Sequence, residues 1–188
     1  MIDRGRSVAG RTGRSKRAMA WSIARINALD REGFVAALGD LYEHSPWVAA
    51  RAWAARPFRD EAALARALAA VVEAADEAEQ LALLRAHPDL AGKAAVAGEL
   101  TADSRAEQKG AGLDRLTAAE HARFTALNTA YRARFGFPFI LAVKGADKAA
   151  ILAAFAARLG NPHATERALA LAEVNKIAGF RLAARLSG

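Results

Sequence analysis

From residue 21 onward, apolar positions recur three or four residues apart, and short polar clusters rich in glycine, proline and aspartate interrupt them. That spacing is the signature of helices burying one face. Asp30 can cap a helix bearing Phe34, Val35 and Leu38 that stops at Gly39, and Ser45-Pro46 opens a second with Trp47, Val48 and Trp53, closed by Arg56-Pro57. Asp60 heads a third, in which Leu64, Leu68, Val71 and Val72 share a face, and a fourth runs from about Asp76 to Ala86 with Leu81 and Leu84. Thr117 and Glu120 have capping-box spacing ahead of Phe124, Leu127 and Tyr131, and Gly136 ends that helix. Asp147 starts another with Ile151, Leu152 and Phe155, broken at Gly160-Asn161-Pro162, and a last helix from about Thr165 to Leu186 carries Leu169, Val174, Ile177 and Leu182.

Two segments depart from this pattern. Residues 87–117 hold four glycines among many polar residues and are the least core-like part of the ordered chain. Residues 137–143 are apolar, contain Pro138 and lie between Gly136 and Gly145; with no second strand to pair with, they read as a buried extended connection. Counting a helix in the TADSRAEQ region, the expectation is an all-α single compact domain of about eight helices over residues 21–188.

Composition sharpens this picture. Of 188 residues 51 are alanine, about half of the 53% apolar fraction, which favours helices in close contact. The absence of cysteine excludes disulfides, thiolate nucleophiles and cysteine-ligated metals, and fits a cytoplasmic setting. The net charge of +7 invites a nucleic-acid reading, a helical module with a basic arm. However, six cations and one anion fall in residues 1–20, leaving 21 cations and 19 anions for the remainder. The basic signal therefore belongs to an N-terminal tail, expected to be disordered, that either precedes a true start at Met19 or serves as a transit peptide. No apolar run reaches the length of a membrane span.

Among candidate chemical groups, His87 ends an apolar helix and precedes a proline. It can serve a free helix-end carbonyl or act as a general acid or base. Ser104 and Glu107 have capping-box spacing; alternatively their helix start faces a cleft, with Glu107 polarising an imidazole and Gln108 offering a donor and an acceptor. Arg181 emerges from the apolar face set by Val174, Ile177 and Ala178, so it must snorkel, pair or bind an anion, and Arg185 continues the stripe as the better candidate for snorkelling. His44 reads as a capping or packing residue, and His121 and His163 as exposed. No histidine pair has metal-ligand spacing, and no phosphate loop or dinucleotide fingerprint is present, so any reaction is expected to need no metal or cofactor.

The runs YEHSPWVA (42–49), RPF (56–58), LLRAHPDLAGK (83–93), LTADSRAEQKGAGLDRLT (100–117), NTAYRARFGFPFILAVKG (128–145) and EVNKIAGFRL (173–182), in this order, resemble the 2-oxo-4-hydroxy-4-carboxy-5-ureidoimidazoline decarboxylase family. The resemblance implies an all-helical, cofactor-independent lyase of urate breakdown that forms (S)-allantoin and carbon dioxide, often as a homodimer, with possible coupling to 5-hydroxyisourate hydrolase. It implies His87 as the catalytic histidine with Glu107 beside it. Substrate binding would fall to Pro88, Ser104, Gln108, Arg181 and the loop around Phe137, Phe139 and Ile140, with no part for nucleic acid or membrane.

Overall fold

The computed structural model describes residues 21–187. The basic segment 1–20, expected as a tail, lies outside them. The described residues form ten α-helices and no strand: α1 (Ile23–Asn27), α2 (Arg31–Leu38), α3 (Trp47–Ala52, continued by a 3-10 turn over Trp53–Ala55), α4 (Glu61–Ala74), α5 (Glu77–Arg85), α6 (Lys93–Ala97), α7 (Ala102–Gly110), α8 (Ala118–Phe135), α9 (Lys148–Arg158) and α10 (His163–Ser187). The all-α, single-domain expectation holds. The two helices beyond the expected eight are α1 and α6, each five residues long and too short to show a periodic face.

The predicted starts are where the caps form. Asp30, Asp60, Asp76 and Asp147 each accept a hydrogen bond from the backbone amide three residues on, at 2.7–2.8 Å, an arrangement that contributes about 1 kcal/mol per helix. Thr117 and Glu120 form the full capping box, and Gly136 leaves α8 in the left-handed conformation at φ 76°. Two expectations fail locally. Helix α7 begins three residues earlier than Ser104 allows, capped by Thr101, so Ser104 and Glu107 are inside the helix and their capping-box spacing is incidental. His44 neither caps nor packs: it is exposed in a turn at φ 47°.

Helix α10 packs on α4, α5 and α8. Its buried register comprises Ala170, Val174, Ile177, Ala178 and Leu182, together with Glu166, Glu173 and Arg181; Leu169, expected in the core, is 40% exposed. The segment 137–143 is neither helix nor strand and is largely buried, as predicted. Phe137 and Phe139 pack on Tyr131, with ring centroids 6.0 and 5.4 Å away, and Phe139 stacks on Phe155 at 3.9 Å.

Buried anions of α10 fix this segment. Glu166, with no exposed surface, accepts from Tyr131 Oη, Arg158 Nε (2.8 Å) and Asn161 Nδ2 (2.7 Å), while Arg158 Nη1 donates to the Ile140 carbonyl at 2.8 Å. Burial, and then the bond to Glu166, push the Tyr131 phenol far above its ordinary pKa, so it remains a donor. Glu173 Oε2 accepts from the Ala142 amide at 2.9 Å. Removing the central anion leaves Arg158 without its carboxylate, so Glu166→Ala is expected to cost about 3–5 kcal/mol of stability in urea titrations.

Candidate active site

Where α5 ends, Pro88 cannot continue the helical hydrogen-bond ladder, and the chain turns with His87 at the bend. The His87 amide donates to Leu84 O at 3.2 Å and ring Nδ1 lies 3.0 Å from Leu83 O. A carbonyl can only accept, so Nδ1 carries the proton and Nε2 keeps the lone pair. The helix-end bond and the acid-base capacity are thus one arrangement: the free carbonyl of α5 selects the tautomer. Burial lowers the imidazole's pKa below its ordinary value, against the opposing pull of Leu83 O and of the Glu43 charge; the imidazole is therefore neutral near pH 7. The turn after it is held by α8: Asn128 Nδ2 donates to Leu90 O at 2.9 Å, and Arg132 pairs with Asp89 at 2.8 Å.

Opposite His87 stand α7 and α10. Arg181 is buried, with Nε and Nη2 on the two oxygens of Glu107 at 2.8 and 2.9 Å. Its Nη1 donates to Glu43 Oε2 at 3.0 Å, and Nη2 also reaches Ser104 Oγ at 3.2 Å. Of the outcomes open to an arginine on an apolar face, this one is pairing. Burial works against its charge, but Glu107 and Glu43 more than offset that and hold the guanidinium above the usual arginine range. Arg185 also pairs, with both oxygens of Asp40, and does not simply snorkel.

Glu43, on the connection between α2 and α3, is 2% exposed and was not singled out in the sequence. Beyond Arg181 it accepts from Thr101 Oγ1 at 2.8 Å and Ser104 Oγ at 3.0 Å. Burial alone would raise its pKa; the Thr101 hydroxyl and Arg181 reverse that, and the carboxyl stays below its ordinary range. No local signal marks it, because its partner on α10 is 138 residues away.

In front of Arg181, on the side away from Glu43, lies a cavity of about 30 Å³, room for roughly one water molecule. His87, Pro88, Ser104, Glu107, Gln108 and Arg181 line its polar side, and Phe139, Ile140 and Leu141 its loop side. Gln108 Oε1 accepts from the Ala91 amide at 2.9 Å, which leaves its amide donor and one lone pair of that oxygen for a ligand. Phe137 is outside the lining and packs between Tyr131, Phe135 and His163. Glu107 shares the cavity with His87, but its two oxygens are engaged by Arg181. A surface groove of about 620 Å³ adjoins the cavity, sharing Glu107, Val143, Ile177 and Arg181 with it.

The family model described as OHCU decarboxylase matches residues 27–183, which contain every one of these groups. The chain belongs to the OHCU decarboxylase family. It is 46% identical over 166 residues to the 2-oxo-4-hydroxy-4-carboxy-5-ureidoimidazoline decarboxylase of Haloferax volcanii, covering 88% of this chain and 96% of the relative. It is 44% identical over 158 residues to the uric acid degradation bifunctional protein PucL of Bacillus subtilis, covering 84% of this chain and 31% of that protein. Among solved structures, an (S)-allantoin synthase superposes with a TM-score of 0.69 at 34% identity, over 88% of this chain and 54% of that one. In this member of the OHCU decarboxylase family, the cavity thus lies wholly within the matched region.

The neutral buried imidazole carries a stability consequence. Unfolded, His87 takes up a proton as pH falls through about 6.5; folded, it resists to lower pH, so the unfolded state binds more protons and stability falls with pH below that point. Thermal melts at pH 5.5 and 7.5 should show this loss in the parent and a smaller loss in His87→Gln.

Proposed function

We propose that the protein decarboxylates 2-oxo-4-hydroxy-4-carboxy-5-ureidoimidazoline to (S)-allantoin and carbon dioxide in urate breakdown, without a cofactor. The observation that carries this reading is His87, fixed with Nε2 basic, sharing one cavity with the Arg181–Glu107 pair inside the family-matched residues.

In the proposed reaction the bond between the ring carbon and the carboxyl carbon breaks, carbon dioxide leaves, and the electron pair moves into the adjacent imine. The imine nitrogen takes up a proton, the hydroxyl on the neighbouring carbon gives up its own and becomes a carbonyl, and a proton is delivered to one face of the ureido-bearing carbon, so that one proton taken from solvent replaces the departed carbon dioxide. His87 is the proton-transfer group. Glu107 acts through Arg181, which it holds at the cavity wall; all five guanidinium N–H groups are bonded within the protein, so a substrate oxygen gains a donor there by displacing a weaker bond such as the 3.2 Å one to Ser104 Oγ. Ser104 and Gln108 hold ring and ureido atoms, and Pro88 shapes the wall beside His87. Because Arg158 holds the Ile140 carbonyl, planar peptide geometry sends the Leu141 amide the opposite way, where the loop can donate to developing charge. A ring bearing carboxyl, hydroxyl and ureido groups exceeds 30 Å³, so entry from the adjoining groove must part α7 from the loop.

The unit comprises residues 21–188, acts in the cytoplasm and pairs as a homodimer. Leu169 and Phe180, 40% and 41% exposed on α10, support a partner copy; sedimentation should report two chains, and a single chain would refute it. No helix among the described residues is long and apolar enough to cross a membrane. The match to PucL, a uric acid degradation bifunctional protein, supports a place in urate breakdown; functional coupling to 5-hydroxyisourate hydrolase is proposed from the family resemblance.

The test is circular dichroism of a coupled reaction that generates the unstable substrate from urate. Its unaided decay gives racemic allantoin, so optical activity isolates catalysis. The parent and a variant starting at Met19 should accumulate (S)-allantoin, and His87→Ala should lose about 10²–10⁴-fold in rate. Undiminished turnover in His87→Ala would remove the histidine assignment. Racemic product from the folded parent, with salt-sensitive polyanion binding lost on removal of residues 1–18, would favour the basic-arm reading instead.

A further inference from the structure

Arg181 is shared by two carboxylates, and only Glu107 belongs to the groups lining the cavity. Glu43 lies behind the guanidinium, and each of its bonds runs to something the site uses. Thr101 caps α7, which carries Ser104, Glu107 and Gln108; Ser104 and Arg181 line the cavity themselves. Besides Glu107, Nη1 has a long bond to Leu41 O at 3.4 Å, a weak hold on that edge of the guanidinium. The Glu43 contact at 3.0 Å on Nη1 and the shared Ser104 hydroxyl close the third side.

We propose that Glu43 is a positioning residue of this site, clamping Arg181 and Ser104 from behind and setting the net charge that His87 faces. The inference rests on the decarboxylase reading for its kinetic consequence only. With Glu43 and Glu107 ionised and Arg181 between them, the cluster carries one net negative charge. The charged and titratable groups facing His87 are Glu43 and His44 from the α2–α3 connection, Glu107 from α7 and Arg181 from α10. The Glu43 charge opposes that of Arg181 and keeps the imidazole more basic than it would be without that carboxylate.

Glu43→Gln separates charge from shape. A glutamine can place its oxygen where Oε2 accepts from Ser104 and Arg181 and donate its amide to the Thr101 hydroxyl, while Arg181 keeps Glu107. In the circular dichroism assay kcat should fall about tenfold. KM should not rise, because an anionic substrate then meets a neutral cluster. The limb of the pH profile that reports His87 should move about one unit to lower pH, and the ring-proton NMR titration of His87 should move with it. A Gln variant with parental kcat and an unmoved limb overturns the proposal, and so does a lowered kcat with the limb and the NMR midpoint both unmoved, since that is mere structural support. Glu43→Asp keeps the charge one methylene short: it should lose kcat but hold the parental limb, and full parental activity would refute the clamp even if the Gln variant failed to fold. Loss of the decarboxylase reading would show as racemic product from the parent, whereas the NMR shift decides the role of Glu43 without turnover.

Discussion

The buried guanidinium of Arg181 is the constraint on which the site depends. A charge on the apolar face of a central helix is tolerated only if its partners are brought to it, and desolvation makes a misplaced partner costly. Meeting that demand draws together three elements far apart in sequence: the α2–α3 connection through Glu43, α7 through Ser104 and Glu107, and α10 itself. Once α7 is seated against α10 in this way, Gln108 faces the same cavity and takes the Ala91 amide in the turn that follows His87. This wall of the cavity is thereby built by ionic pairing more than by apolar contact.

The other wall is anchored on the same helix. Glu166, Glu173 and Arg181 are seven and eight residues apart, about two turns each, so one long helix presents three buried ionic groups in succession. The two acids fix the segment 137–143, Glu166 through Arg158 and the Ile140 carbonyl, Glu173 through the Ala142 amide. A loop without sheet partners needs such anchors, since its buried backbone groups would otherwise lack bonds. The aromatic packing of Phe137, Phe139 and Phe155 excludes water around it but has no directional hold on the amides.

What the sequence made legible was local. Aspartate caps, the Thr117–Glu120 box, the glycine stop at 136 and the unpaired connection after it are decided within a few residues, and the structure has each of them. The same local logic left Ser104 open between a cap and a cleft-facing group, because Thr101 three residues earlier offers an equally good capping hydroxyl and the choice rests on how α7 docks. It misplaced Leu169 because apolar spacing cannot say which side of α10 meets the core when alanines flank both. The site residues carried by the family resemblance converge on one cavity with the exception of Phe137, which the aromatic cluster draws away. Glu43 was beyond reach for a different reason: an arginine on an apolar face implies an acid somewhere, but 20 acids are candidates and only the fold selects among them.

The ionic inventory also bears on how the proposed reaction gains its rate. An unshared arginine would bind the substrate carboxylate strongly in the ground state, and that attraction would be lost as the carboxylate becomes neutral carbon dioxide. Interactions of that kind deepen the well before the barrier and do not lower the barrier itself. Sharing Arg181 between Glu43 and Glu107 weakens its pull on a ground-state carboxylate while keeping its donors in fixed directions. The charge leaving the carboxylate moves into the ring, where loop amides and the guanidinium edge can meet it, and His87, neutral and basic at Nε2, manages the proton that completes the product. The second carboxylate is thus more than a counter-ion: it fixes the guanidinium's position and weakens it as an anion trap.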